Sequence, residues 1–149
     1  MTALIERLLP PCGASYTGPS VAYAALIVLA LVSTARSLVH LLRVDGGANS
    51  VANIPLQGRD GANIVAVFGQ WGANQLVLAL VQWAVILRYP ALVPAMWALA
   101  FVEALLRQLA GWLKPPQLGG HQPPAARGIK VQIVLAALLL AVSLESFEL

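Results

Sequence analysis

The sequence predicts an all-α integral membrane protein: four transmembrane helices in a bundle of two hairpins. Two observations carry this. Apolar residues make up 59% of the 149 and charged residues 10%, whereas a soluble domain carries about 25% charged residues. Nine basic and six acidic side chains are too few to cover a water-soluble domain of this length, which argues against a soluble globular enzyme. The apolar residues also gather into four runs divided by glycine- and proline-rich segments, and each run is long enough to cross a hydrocarbon core of about 30 Å. The chain reads as a single membrane domain, residues 1–149.

The elements follow in order. Residues 1–18 form an N-terminal interfacial segment, in which Leu4, Ile5, Leu8 and Leu9 recur at helical spacing beside Glu6 and Arg7 before Pro10-Pro11. Glu6 stands where a signal peptide is positive, and only six apolar residues precede the prolines, which argues against cleavage. The first span, about 20–43, contains the unbroken apolar run Val21 to Val32. Residues 44–60 hold glycine, asparagine, proline and charge, and read as a loop. The second span, about 61–88, stops at Tyr89-Pro90, because proline cannot continue the hydrogen-bonded ladder. The third, about 91–113, follows at once, so the second and third spans are expected as an antiparallel hairpin. Residues 114–128, with four prolines and three glycines, read as an exposed linker, and the fourth span takes about 129–149.

Charge orients the bundle. Arg36, Arg43, Arg59, Arg107, Lys114, Arg127 and Lys130 fall on the side of loops 44–60 and 114–128, against Arg7 and Arg88 on the other. The positive-inside rule therefore puts both loops in the cytoplasm and both termini outside. Glu145 and Glu148 agree with it. For a bacterial host the membrane is the inner one, since helical spans are not the outer-membrane solution.

Arg36–Arg43 parallels Arg107–Lys114, and Gln75-Leu-Val-Leu-Ala-Leu parallels Gln132-Ile-Val-Leu-Ala-Ala. Such matches fit either two related hairpins or the common needs of any two membrane helices. The runs Phe68-Gly-Gln-Trp-Gly-Ala-Asn-Gln-Leu and Leu87-Arg-Tyr-Pro-Ala-Leu-Val-Pro-Ala-Met resemble those of a group of bacterial four-helix inner-membrane proteins, broadly similar in size and layout to the DoxX-like families. The resemblance covers about residues 60–115 and implies a four-helix inner-membrane unit, with no catalytic signature.

Ionisable groups within spans are costly and mark sites of interest. Glu103 falls near the middle of the third span, with Arg107 four residues on and on the same face. The pair reads as a buried ion pair locking helices, or as a proton or cation site. Arg36, His40 and Arg43, with Ser33, share a face of the first span and are candidates for headgroup or anion contact; snorkelling to the interface is the simpler reading for the arginines. In the second span Asn63, Gln70 and Asn74 form one polar stripe, and Gln75 and Gln82 form another. Amides in lipid need hydrogen-bonding partners, so both stripes should meet protein or line a pathway. Trp71, Trp83, Trp97 and Trp112 read as packing or interface anchors.

One cysteine, Cys12, excludes a disulfide framework or a multi-cysteine metal site. Of the two histidines only His40 lies in a span, so bis-histidine haem ligation within one chain is excluded. No metal or cofactor is expected, and the basic residues track one membrane side instead of forming a nucleic-acid patch. The expected partners are the bilayer and other membrane subunits, identical or foreign. The favoured function is a small non-catalytic membrane subunit that homo-oligomerises or serves as an accessory chain. The alternatives are a small channel or transporter with Glu103 in its pathway, and a membrane enzyme acting on lipid or quinone. For the last, Glu103, Arg107, His40 and Arg36 would have to converge.

Overall fold

The computed structural model describes residues 2–11, 13–120 and 122–145. Cys12, His121, Glu148 and the end of the expected fourth span lie outside the described residues. The chain forms α1 (Thr2–Leu8), α2 (Ser20–Leu42), α3 (Gly61–Arg88), a 3-10 turn (Pro90–Leu92), α4 (Val93–Leu113) and α5 (Pro124–Ser143). No strand occurs among the described residues. The four long helices are apolar enough to cross a membrane and pack against one another, which is the build of a membrane protein.

Three boundaries differ from the sequence reading, one being the end of α5 at Ser143, ahead of the expected 149. α4 begins at Val93, because Pro90–Leu92 first winds a tighter 3-10 turn. α5 begins at Pro124, so residues 124–128 are helix and not linker. Pro123 holds an extended backbone (φ −63°, ψ 152°), and Pro124 sits in the first turn, where its missing N–H would have had no helical partner. A proline pair can therefore open a helix as well as interrupt one.

α2 packs along α3, and α4 along α5. α3 and α4 run antiparallel across the shortest connection in the bundle, yet they touch little and leave room between them. The apolar core fills the half of the bundle near the α3–α4 turn. Ala22, Leu26 and Ala30 of α2 meet Val85 and Ile86 of α3, Val93, Met96 and Trp97 of α4, and Ala136 of α5. Polar tips close the same region: Trp97 Nε1 donates to the Ala22 carbonyl at 3.0 Å, and the Tyr23 hydroxyl donates to the Ile86 carbonyl at 2.8 Å.

In the other half α2 and α3 approach backbone to backbone. A Cβ at Gly72 would lie 2.8 Å from His40 Cβ and from the Leu41 nitrogen, so only glycine permits this crossing. Beyond it the 44–60 loop folds back onto the helix ends. Gly46 and Gly47 adopt φ of +58° and +73°, and His40 Nδ1 donates to the Gly46 carbonyl at 2.8 Å. The Asp45 carboxylate accepts from the Ser50 amide at 2.7 Å and the Gly47 amide at 3.0 Å. These bonds, the Ser50 one foremost, hold its carboxyl well below the usual carboxylate range, with a smaller contribution from Arg43. The Gly119 amide donates to the Asn53 carbonyl at 2.8 Å, so the two long loops meet at one end of the bundle. At the opposite end Arg7 donates to the Leu144 carbonyl at 2.8 Å.

Candidate functional site

Between the apolar core and the loop end lies a polar layer to which every long helix contributes. Arg36 comes from α2, Gln75 and Gln82 from α3, Glu103 and Arg107 from α4, and Gln132 from α5. The helix pairing explains the common level of the two arginines. Arg36 stands six residues before the end of α2, and Arg107 six before the end of α4, so both lie about 9 Å along the axis from those ends.

Arg107 organises the layer. Its Nη2 donates to Glu103 Oε2 at 3.0 Å and to Gln132 Oε1 at 2.8 Å, tying α4 to α5. Its Nε and Nη1 are buried without a hydrogen-bond partner. Arg36 lies within reach of the charges of both Arg107 and Glu103, and its Nε is likewise buried and unpartnered. Its guanidinium carbon stands 5.8 Å from the centre of the Trp71 ring, a cation–π contact. Gln75, only 6% exposed, and Gln82 each bury an unpartnered Oε1. A cavity of about 110 Å³ lies among these groups, bordered by Arg36, Gln75, Gln82, Glu103 and Gln132. Buried polar atoms are nearly always paired, so three bordering side chains with free bonding capacity, Arg36, Gln75 and Gln82, around one cavity form a site built for something polar.

The structure divides the polar residues singled out from sequence. Glu103 and Arg107 meet as an ion pair, and Gln75 and Gln82 face the cavity. Asn63, Gln70 and Asn74 are exposed on the outside of α3 and take no part. Arg36, His40 and Arg43 separate. Arg36 turns to the cavity, whereas His40 is buried against Phe68 and Trp71 and secures the loop through Gly46. Arg43 is exposed, with Asp45 3.8 Å away. Ser33 lines the cavity, and its carbonyl accepts from the Ser37 hydroxyl at 2.7 Å. Sequence reasoning missed Gln132, treating it only as part of a repeat, and Gln108, whose Oε1 is also buried and unpartnered. An amide inside a span was the available signal, the same one that drew notice to α3.

The layer offers cations, a carboxylate and amides. The Ser33 hydroxyl also belongs to the cavity lining, and His40 lies outside it. Among the described residues no three histidine, cysteine, aspartate or glutamate side chains converge as metal ligands. No family model, curated protein or solved structure matches the chain.

Proposed function

We infer that the protein is a small non-catalytic membrane subunit that associates with a second copy of itself through the outer face of α3. The observation that carries this reading is the exposure of Gln70 and Asn74. Asn74 lies thirteen residues from one end of α3 and fourteen from the other, at mid-membrane depth. Among the described residues neither amide has a hydrogen-bond partner elsewhere in the chain, and an amide in hydrocarbon without a partner is unfavourable. Around them Asn63, Gln70, Val77 and Ala84 recur every seven residues, with Ala66, Ala73 and Leu80 between, and all seven are exposed. That is the seam of a left-handed helix pair, with small residues allowing close approach. The face carries no charge, and an amide both donates and accepts, so it is complementary to itself. In this reading the membrane is a bacterial inner one, loops 44–60 and 114–123 are cytoplasmic, and the layout is that of a DoxX-like unit.

Oxidative cross-linking in native membranes tests it. In a Cys12→Ser background, Ala73→Cys should give a disulfide-linked dimer, whereas Leu109→Cys, on the exposed surface of α4, should not. Replacing both Gln70 and Asn74 by leucine should weaken the dimer by about tenfold, from an amide contribution of about 1–2 kcal/mol. A foreign subunit recovered in fixed ratio without the Ala73→Cys dimer would make this an accessory chain. A monomer under all conditions would refute both versions.

A further inference from the structure

The cavity in the polar layer has a charge that the chain does not balance. Arg36 borders the cavity, whereas Arg107 does not line it but is bonded to Glu103 and Gln132, which do; two guanidinium charges thus meet Glu103, the only acid bordering the cavity among the described residues. One positive charge is left over in a site removed from water, and protonating Glu103 would only enlarge the excess. Bound water could bridge the unpartnered Arg36 Nε, Arg107 Nε and Arg107 Nη1, but water does not cancel charge.

The mouth of the cavity indicates where a neutralising group would come from. Val32, Leu78 and Leu99 border it while remaining 58%, 43% and 51% exposed. They lie on α2, α3 and α4, so the opening is in the side of the bundle, where α3 and α4 stand apart, and faces the acyl chains. Whatever enters there has an apolar body. From the charge, the unpartnered donors and the lateral mouth together, we propose that the cavity binds the head of a singly charged anionic amphiphile, a long-chain carboxylate, whose tail leaves between α3 and α4. The carboxylate pairs with Arg36, taking up its free N–H in a charge-assisted bond, while Arg107, bonded to Glu103 and Gln132 at the cavity's border, adds its positive charge to the site. Gln75 and Gln82 complete the site, since a half-turn of either amide presents its NH2 to the cavity in place of its oxygen. At about 110 Å³ the cavity accommodates a carboxylate and accompanying water. Glu103 opposes the ligand's charge, which keeps the bound anion exchangeable. This site is independent of self-association through the far face of α3.

Binding of radiolabelled oleate to the full chain in phosphatidylcholine nanodiscs tests the proposal. Oleate should bind saturably, oleyl alcohol at least about tenfold more weakly because it lacks the charge, and acetate not measurably because it lacks the tail. Arg36→Gln should weaken oleate binding by about tenfold or more, Arg107→Gln should weaken it less, and Glu103→Gln should strengthen it. Equal binding of oleate and oleyl alcohol would overturn the anion site, and acetate binding as tightly as oleate would overturn the lateral entry. Displacement of oleate by lower concentrations of dioleoylphosphatidylglycerol would overturn the carboxylate in favour of a phosphodiester head. The oleate-to-alcohol comparison on the unaltered protein decides the matter even if an arginine variant fails to fold.

Discussion

Replacing Glu103 with leucine removes the only acid, among the described residues, beside two half-buried arginines, and its cost follows from the geometry. Breaking a fully buried pair costs about 3–5 kcal/mol, and an arginine at the centre of a membrane helix costs about 2.5–3.5 kcal/mol on insertion scales. Two features lower the figure here. Arg107 keeps its 2.8 Å bond to Gln132, and from about 9 Å inside the helix end its long side chain can reach toward the interface. The Glu103 side chain is also 35% exposed in the isolated chain. We therefore expect a loss of about 2 kcal/mol, roughly thirtyfold in the folding equilibrium. Arg107→Leu alone should cost less, because a stranded carboxylate can take up a proton whereas a stranded guanidinium cannot shed one. The double leucine variant should lie within about 1 kcal/mol of the unaltered protein, a positive coupling between neighbours. Steric-trap or mixed-micelle unfolding measurements on the four proteins give the cycle. A neutral Glu103→Leu, or losses that simply add in the double variant, would show that the pair does not hold the layer together.

Three further outcomes are expected. Gly72→Leu should lower stability by about 2–3 kcal/mol or more by forcing α2 and α3 apart at His40, measured by the same unfolding assay; tolerance of leucine there would contradict the close crossing. The Gly47 and Ser50 amide resonances should titrate with a midpoint below the ordinary aspartate value of about 4. Because the folded-state pKa of Asp45 is depressed, its contribution to loop stability is present above the unfolded value and lost as pH falls through the folded one; a midpoint at or above 4 would refute the loop geometry. Single cysteines at Ser50→Cys and Gln122→Cys should resist an impermeant thiol reagent applied to intact cells, and ready labelling of both would reverse the proposed orientation.

The class of this fold was legible in the sequence because lipid permits few backbone solutions: four long apolar runs become four helices wherever their polar backbone must be satisfied internally. The i, i+4 spacing of Glu103 and Arg107 likewise needs only helical geometry to become an ion pair. Local chemistry was less transparent at Pro124, where a residue that ends helices starts one. Tertiary structure decided what no periodicity contains. α3 carries two amide stripes of similar pattern, and only packing against α2 turned Gln75 and Gln82 inward while leaving Gln70 and Asn74 outside. Arg36, His40 and Arg43 share a helix face in sequence, yet the fold gave one to the cavity, one to a glycine loop and one to the surface. Gln132 acquired its role from Arg107, 25 residues away along the chain. Spacing along a helix determines which side chains share a face; which face meets which neighbour depends on contacts between helices distant in the chain, and the polar layer is built from those contacts.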